Sequence, residues 1–353
     1  MPSIIFLGTG GDEFVVGKQI KASGGIIVQV EGYQFHIDPG PGAVVRAHQA
    51  GVNLRENTAV LVSHAHINHC NDVNAVISAM SHNGFDINGV LISNITFANG
   101  SEESKIHPLL TEFHKNCVER VIVAKPNQRI GIETVEIQTL KAFHKDPNAL
   151  GFKLITPKFT LTYSGDTKYH KELIEEYKRS DILVLNMVHP SGTSSKNTDN
   201  LNFEDAVRIL DKTKPKLAVI THFGKDMLKA DPLNEARELQ KLTGVQVLAA
   251  IDGMSINPVS YSADAKQKTL NIYKESANSK SSNAQEEKET QAENPEHIEE
   301  QVTLVDVSAD PDDDALEEEP DVFVDPDTII KEDVLEKEPE VSIESNVSIK
   351  EEE

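Results

Sequence analysis

Cysteine and long apolar runs are both scarce in this sequence. Of 353 residues only Cys70 and Cys117 are cysteines, and they form neither a CxxC pair nor a disulfide framework, which fits a reducing compartment. No apolar run could span a bilayer, and the opening MPSIIFLGTGG lacks the basic residues and the apolar length of a secretory signal. We therefore expect a soluble, cytoplasmic protein without a membrane partner.

Basic and aromatic residues are scarce in the last quarter of the chain. Residues 261–353 carry 29 acidic and 8 basic residues, which leaves 28 acidic and 26 basic residues for positions 1–260. This segment cannot bury enough apolar surface to offset the loss of chain entropy on folding. The sequence therefore predicts a folded domain over 1–260 and a disordered acidic tail over 261–353. Short apolar clusters such as DVFVD could dock on a protein partner, or the tail could serve only as a solubilising extension.

Short β-branched runs alternate with helical segments along residues 1–260, which predicts an α/β fold. Hairpin-like neighbours near the front mix with strand–helix–strand units behind, so we expect mixed sheets covered by helices. The predicted strands are SIIFLG, GIIVQVEGYQFHID, TAVLVS, GVLIS, RVIVAK, VEIQTL, LGFKLIT, FTLTYSG, DILVLNMV, KLAVITH and VQVLAAI. The predicted helices are AVVRAHQAG, DVNAVISAMSH, KIHPLLTEFHKN, KYHKELIEEYKRS, NFEDAVRILDKT and LNEARELQKLTG.

Chemically active side chains follow several of these strands directly. The stretch SHAHINHCND places His64, His66 and His69 after the strand TAVLVS, a spacing that can direct three imidazoles at one point. Later strand ends add three more candidates, which are His144, Asp166 and His222. Singly, each of these histidines is better explained as a surface or capping residue, and Asp166 as a helix N-cap. Together they indicate a metal site, because HAHINH is difficult to explain by packing.

Cys70 and the glycines of GTGG have simpler interpretations. Cys70 lies beside His69 and could be a soft metal ligand, but a small packing residue is favoured. The run from Gly8 to Gly11 lacks the GK[ST] ending of a phosphate-binding loop, so it predicts a tight turn at the mouth of the site.

The ordered set of motifs resembles the metallo-β-lactamase superfamily over about residues 1–258. The family pattern is HxHxDH after a strand, followed by His, Asp and His at later strand ends. The segments FLGTGG and THFG are similar to ribonuclease Z and related phosphodiesterases, and IDPGPGA, SHAH, ITHFG and DGM resemble an archaeal-type group of hydrolases in the superfamily. The resemblance implies a four-layer αββα sandwich.

The resemblance also implies the roles of the polar residues. His64, His66 and His144 would hold one metal ion, His69 and His222 a second, and Asp166 would bridge them. Zn²⁺ suits these ligands, in one or two ions, with Fe or Mn as alternatives. Such ions activate water for hydrolysis. Asp38 would orient a ligand histidine, or would only cap the turn that follows it.

Two positions depart from the family pattern. Asn68 stands where the family has an aspartate, and a neutral amide is a poor ligand that cannot accept a proton from water, so we expect a weakened second site. Asn200 stands where the nucleases have a histidine that contacts phosphate. His189 lies before the loop SGTSSKNTDN and could supply the missing proton, although a solvent-exposed loop histidine is favoured. The candidate catalytic residues are thus Asp166, Asn68 and His189.

These features predict a metal-dependent hydrolase with a phosphodiester or nucleic-acid substrate. A domain with a net charge of −2 offers no strong basic field for a long polyanion, so a small phosphodiester fits at least as well as RNA. A lactonase or thioesterase is the alternative enzyme, and a binding or regulatory protein on a partly disabled scaffold is the non-enzymatic one. An oligomer is compatible with all three.

Overall fold

The computed structural model describes residues 1–262 except 104 and 195–197. The predicted tail therefore lies outside the described residues, apart from its first two positions. Fourteen strands form within the described part, and they are β1 Ser3–Phe6, β2 Ile26–Val30, β3 Tyr33–Ile37, β4 Asn57–Val62, β5 Val90–Ser93, β6 Arg120–Val123, β7 Arg129–Ile132, β8 Val135–Lys141, β9 Leu150–Ile155, β10 Thr160–Tyr163, β11 Ile182–Asn186, β12 Leu217–Thr221, β13 Gln246–Ala249 and β14 Ser255–Ile256.

The strands form two mixed sheets of seven. The first has the order β14-β1-β2-β3-β4-β5-β6, and the second has the order β13-β12-β11-β10-β9-β8-β7. In each sheet a parallel half, β3 to β6 or β10 to β13, adjoins an antiparallel half. Hairpins such as β2–β3, β7–β8 and β9–β10 lie in the antiparallel halves, and helical crossovers build the parallel halves, as the alternation of motifs predicted.

Ten α-helices lie in the described part. They are α1 Glu13–Gly17, α2 Ala43–Gln49, α3 Ile67–Cys70, α4 Val73–Ser81, α5 Ile95–Asn99, α6 Glu112–Lys115, α7 Glu172–Tyr177, α8 Phe203–Thr213, α9 Lys225–Ala230 and α10 Pro232–Thr243. No helix in this part is both long and apolar enough to cross a membrane.

Three apolar clusters define the layers. The central one joins the facing sides of the two sheets and contains Phe35 and Phe152. The second packs α7, α8 and α10 on the outer side of the second sheet, and the third packs α2 and α4 on the outer side of the first. Helix, sheet, sheet and helix thus form four layers, so the predicted αββα sandwich is confirmed.

One helix prediction is wrong. The segment KIHPLLTEFHKN is helical only over α6, and residues 105–111 form bridged and turn structure instead. Pro108 has no N–H to donate within a helix, and its ring disfavours helical geometry at His107. The backbone of this segment bonds elsewhere: Ile106 N–H donates to Ser101 and Leu109 N–H donates to Phe97.

Candidate metal centre

Six side chains meet where strands of both sheets end. His64 follows β4 in the first sheet, whereas His144, Asp166 and His222 follow β8, β10 and β12 in the second. The short helix α3 carries His69, and His66 is its N-cap residue. The structure therefore brings together every residue that the sequence nominated as a metal ligand.

The nitrogen atoms form two neighbouring groups. In the first group, His66 Nδ1 lies 2.9 Å from His64 Nε2 and 3.1 Å from His144 Nε2. In the second group, His69 Nε2 and His222 Nε2 are 2.8 Å apart. These pairs cannot all be satisfied by hydrogen bonds, because a neutral imidazole has one N–H and one lone pair.

Asp166 lies between the two groups. Its Oδ2 atom is 3.2 Å from His69 Nε2 and 4.0 Å from both His64 Nε2 and His144 Nε2. Its Oδ1 atom is 3.2 Å from His222 Nε2. One carboxylate thus faces both groups, as expected of a bridging ligand.

The protonation preferences suit a divalent cation. Burial lowers the pKa of His64 and His66, and lowers that of His222 to about 4, so these rings offer lone pairs at neutral pH. Burial also favours the neutral acid of Asp166, but the neighbouring His222 and His69 outweigh it and hold the pKa of this carboxyl well below its usual range. The neutral rings of His64, His66 and His222 beside one carboxylate are suited to a divalent metal ion.

Asp38 supports this arrangement from behind. Its Oδ2 atom accepts hydrogen bonds from His69 Nδ1 at 2.9 Å, from Tyr163 OH at 2.7 Å and from Ser63 Oγ at 2.7 Å, and its Oδ1 atom accepts from Ser63 N–H at 2.7 Å. For His69, burial alone would lower the pKa, but Asp166 and Asp38 raise it to about 10. Asp38 therefore orients His69, as one of its two predicted roles proposed.

Two residues that the sequence did not single out, Asn186 and Tyr163, support the centre from the second sheet, Asn186 through Asp166 and Tyr163 through Asp38. Asn186, the last residue of β11, donates from Nδ2 to Asp166 Oδ1 at 2.7 Å and to Tyr163 OH at 3.0 Å. Both side chains are buried, and only their position at strand ends could have indicated them.

Asp146 joins the two loops of the first group. This buried carboxylate accepts from Asn94 Nδ2 at 2.7 Å, from Thr96 Oγ1 at 2.9 Å and from Ala65 N–H at 3.4 Å. Ala65 lies between His64 and His66, and Asp146 follows His144 by two residues. The carboxylate thereby fixes the separation of the ligand loops.

The GTGG turn lies directly against His222. A Cβ atom on Gly11 would be 2.1 Å from the His222 carbonyl oxygen, so only glycine allows this approach. Gly8 and Gly10 line a small cavity together with Asn68, His69 and His222. The turn therefore lies beside the second group, as the sequence predicted.

The remaining candidates are placed differently. Cys70 is buried and donates from Sγ to the His66 carbonyl at 3.2 Å, and burial raises the pKa of its thiol, which suits a packing role. His189 is half-buried rather than solvent-exposed, and burial lowers its pKa although Asp226 and Asp12 oppose this. No hydrogen bond links its ring to the six candidate ligands within the part of the chain that the structure describes.

Comparison with known proteins agrees with this geometry. A family model described as a beta-lactamase superfamily domain matches residues 33–223. An uncharacterized protein of Methanocaldococcus jannaschii is 29% identical over 255 residues, which are 72% of this chain and 94% of that protein.

Two solved structures share the fold. The metallo-β-lactamase fold protein YhfI of Bacillus subtilis has a TM-score of 0.61 and 18% identity over 72% of this chain and 98% of that one. The short form of human tRNase Z has a TM-score of 0.55 and 14% identity over the same shares of the two chains. Because the family model matches more than half of this chain, the chain belongs to the metallo-β-lactamase superfamily.

Proposed function

We propose that this protein is a metal-dependent hydrolase that acts on a small phosphodiester. The observation that carries the proposal is the position of Asp166, whose carboxylate oxygens lie within 4.0 Å of four imidazole nitrogens from two separate groups. A buried carboxylate among four imidazole rings has no packing purpose, because each polar group placed there loses its hydration. Zn²⁺ suits this nitrogen and oxygen set, with Fe or Mn as alternatives.

The residues of the chain hold and orient this centre. A divalent ion bound there would lower the pKa of a water molecule and stabilise charge on the attacked ester. Asp38, Ser63 and Asn186 fix the ligand side chains by hydrogen bonds, so the centre is organised before substrate arrives. The buried surroundings of His64 and Asp166 keep bulk water away from the ligands.

The substrate class rests on resemblance and charge. The ends FLGTGG and THFG are similar to ribonuclease Z, and human tRNase Z shares the fold. Residues 1–260 carry a net charge of −2, which attracts a long polyanion weakly, so we favour a small phosphodiester over RNA. Asn68 favours a second candidate, a non-catalytic binding protein, because it removes an expected carboxylate.

A substrate screen tests the proposal. The full chain, loaded in turn with Zn²⁺, Mn²⁺ or Fe²⁺, is assayed on bis-p-nitrophenyl phosphate, a lactone and a thioester. We expect metal-dependent turnover of the phosphodiester. Preference for the lactone or thioester would assign a carbonyl substrate instead, and no turnover of any ester with metal bound would support the binding protein.

Three variants connect turnover to the centre. Asp166→Ala should lose bound metal and hydrolysis together, whereas His48→Ala, a change of an exposed histidine on α2, should keep both. His189→Ala should keep the metal and at most slow turnover, because its ring lies outside the ligand set. Full metal occupancy in Asp166→Ala would contradict the ligand assignment.

A further inference from the structure

The amide of Asn68 occupies a specific place beside the second group. Its Nδ2 atom donates to the Gly11 carbonyl at 3.2 Å and lies 3.2 Å from His222 Nε2. A carbonyl oxygen can only accept, so the Gly11 contact fixes the amide with its NH₂ group toward these atoms. The side chain thus presents an N–H donor, not an oxygen ligand, to the second group.

This orientation engages the lone pair that His222 would give to a cation. An Asn68 N–H directed at His222 Nε2 uses the same electrons that would form a metal bond. Reversing the amide would present its oxygen, but would lose the hydrogen bond to Gly11 and bring two carbonyl oxygens together. The second group therefore has no charged ligand besides the shared Asp166, and Asn68 competes for the lone pair of His222.

The two groups also differ in the hydrogen bonds made by the ring nitrogens that point away from the centre. In the first group, His144 Nδ1 donates to the Asp199 carbonyl at 2.9 Å, and His64 Nδ1 lies 2.9 Å from Ser63 Oγ. In the second group, His69 Nδ1 donates to Asp38 Oδ2 at 2.9 Å, but His222 Nδ1 is buried without a partner among the described residues. A hydrogen bond at the outer nitrogen fixes the tautomer and the orientation of a ligand ring, so His222 is the less constrained ring of its group.

We infer that this protein binds one divalent ion tightly, through His64, His66, His144 and Asp166, and that Asn68 makes the position at His69 and His222 the weaker one. The inference deepens the proposed function, on which its relevance to turnover rests, but ion binding itself is measured without any substrate. Charge limits the number of tightly held ions: among the described residues, Asp166 is the carboxylate whose oxygens lie within 4.0 Å of ligand nitrogens from both groups. Two divalent ions that share one carboxylate repel each other more than two ions that each have their own.

Metal counting on the full chain tests the inference. Protein loaded with Zn²⁺ and passed over a chelating resin should retain about one ion per chain by elemental analysis. Asn68→Asp, which restores a carboxylate of the same shape, should retain about two. Asn68→Ala removes the competing N–H without adding charge. If the missing charge is the dominant cause, this variant should still retain about one ion per chain. Two equally retained ions in the unmodified protein would overturn the inference.

Paired ligand variants locate the retained ion. His222→Ala should keep it, whereas His144→Ala should lose it, and the reverse pattern would overturn the assignment. Because His144→Ala could also unfold the loop, Mn²⁺-loaded unmodified protein and Asn68→Asp are compared by electron paramagnetic resonance. Spin coupling between two ions should appear in Asn68→Asp alone, and a coupled spectrum from the unmodified protein would overturn the inference.

The ion count separates this inference from the proposed function. One retained ion without turnover of any ester supports the single tight site and contradicts the hydrolase. Two retained ions together with phosphodiester turnover would support the hydrolase and contradict the single tight site.

Discussion

Asp38 shows how one buried side chain organises the centre without binding in it. Its backbone has a φ of 51°, a left-handed conformation that is costly for a residue with a side chain. Four hydrogen bonds offset this cost, and they link β4, α3 and β10 through Ser63, His69 and Tyr163. The resemblance left two roles open for Asp38, orienting a ligand histidine or capping a turn, and the structure gives the contacts that require a carboxylate.

We expect Asp38→Asn to weaken metal binding by roughly 10- to 100-fold, since such supporting contacts typically contribute that much to affinity. The amide would point an N–H at donors and would leave His69 without an anionic partner. Competition with a chromophoric chelator measures the change. Tyr163→Phe is the matched control, because it removes one donor to Asp38 and keeps the His69 contact, so it should cost much less. Equal losses in the two variants would contradict this role.

His36 is a buried histidine outside the metal centre. It is fully buried on β3, and its Nε2 atom donates to the Gly24 carbonyl at 2.8 Å. Burial lowers its pKa to about 4, against an ordinary value of 6.5, although the Gly24 contact and Asp38 oppose this. The unfolded chain therefore takes up the proton at higher pH than the folded chain does, and stability falls as pH drops through this interval.

His36 should account for about 2 kcal/mol of the stability lost between pH 7 and pH 5. Urea unfolding of the unmodified protein and of His36→Gln at both pH values measures this change in the free energy of unfolding. Glutamine keeps a donor toward Gly24 but does not titrate, so the pH dependence of His36→Gln should be smaller by that amount. His48→Gln, at an exposed site on α2, should follow the unmodified protein. An unchanged pH dependence in His36→Gln would contradict the buried neutral ring.

At the level of elements, the strand ends explain why the site could be predicted. Buried parallel strands appear as continuous β-branched runs, so the ends of β4, β10 and β12 were visible in the sequence, and their polar residues with them. Residues that act by hydrogen bonding could not be identified from the sequence, because Asn186 and Asp146 lack any distinctive spacing. Their roles depend on contacts between segments distant in sequence.

Short and irregular elements were the least predictable. The strand β7 has the sequence RIGI, and β14 has two residues, so neither shows a pattern long enough to identify. The helices α1, α3, α5 and α9 have four to six residues, below the length at which helical periodicity becomes visible. Such elements form because tertiary packing and caps hold them, as Asp12 caps α1.

The GTGG turn packs closely against the residues that follow β12, and this contact can be tested by substitution. Gly11 N–H donates to the Phe223 carbonyl at 3.0 Å, and Phe223 N–H donates to the Thr9 carbonyl at 2.7 Å, which holds the turn against His222. In Gly11→Ala the methyl group would overlap the His222 backbone, so that backbone must move. We expect a loss of roughly 1–3 kcal/mol in stability, with weaker metal retention, as for other overpacked sites.

Gly17→Ala is the matched control for this substitution. Gly17 ends α1 only six residues away, and a Cβ atom there would meet no atom within 4 Å. Alanine in place of a helical glycine should leave stability unchanged or raise it by roughly 0.5–1 kcal/mol. Thermal melting and ion counting on both variants measure the difference. A Gly11→Ala protein that matches Gly17→Ala in both would show that the close approach is not required.

For the whole molecule, the uneven charge is the main feature that the fold does not explain. The two sheets and their helices account for residues 1–262 apart from the few positions not described, and their charges are almost balanced. The acidic residues 263–353 lie outside the described part, so the predicted tail remains a prediction. We expect truncation after Ser262 to leave the melting temperature almost unchanged, since the segment is too poor in apolar residues to contribute to the core.

Limited proteolysis and thermal melting of the full and truncated chains test whether the acidic segment is separate from the folded domain. Protease should remove the segment and leave a resistant product of about residues 1–262. Melting of the truncated chain many degrees below the full chain, or a segment that resists protease, would place the domain boundary later. Truncation before Pro258 is the matched control: it removes buried Pro258 and all that follows, so it should lower the melting temperature.

The net charge of −21 over residues 261–353 also predicts an effect on anionic substrates. A tethered polyanion that reaches a cationic, metal-loaded centre competes with other anions for it. Salt weakens this competition, because the Debye length falls from about 30 Å at 0.01 M to about 10 Å at 0.1 M ionic strength. Truncation after Ser262 should therefore lower the apparent KM for bis-p-nitrophenyl phosphate at low salt and have little effect at high salt. An uncharged lactone is the matched control, because its apparent KM should not depend on the tail at any salt concentration. A tail effect that is equal for both substrates, or that persists in high salt, would show that charge competition is not its cause.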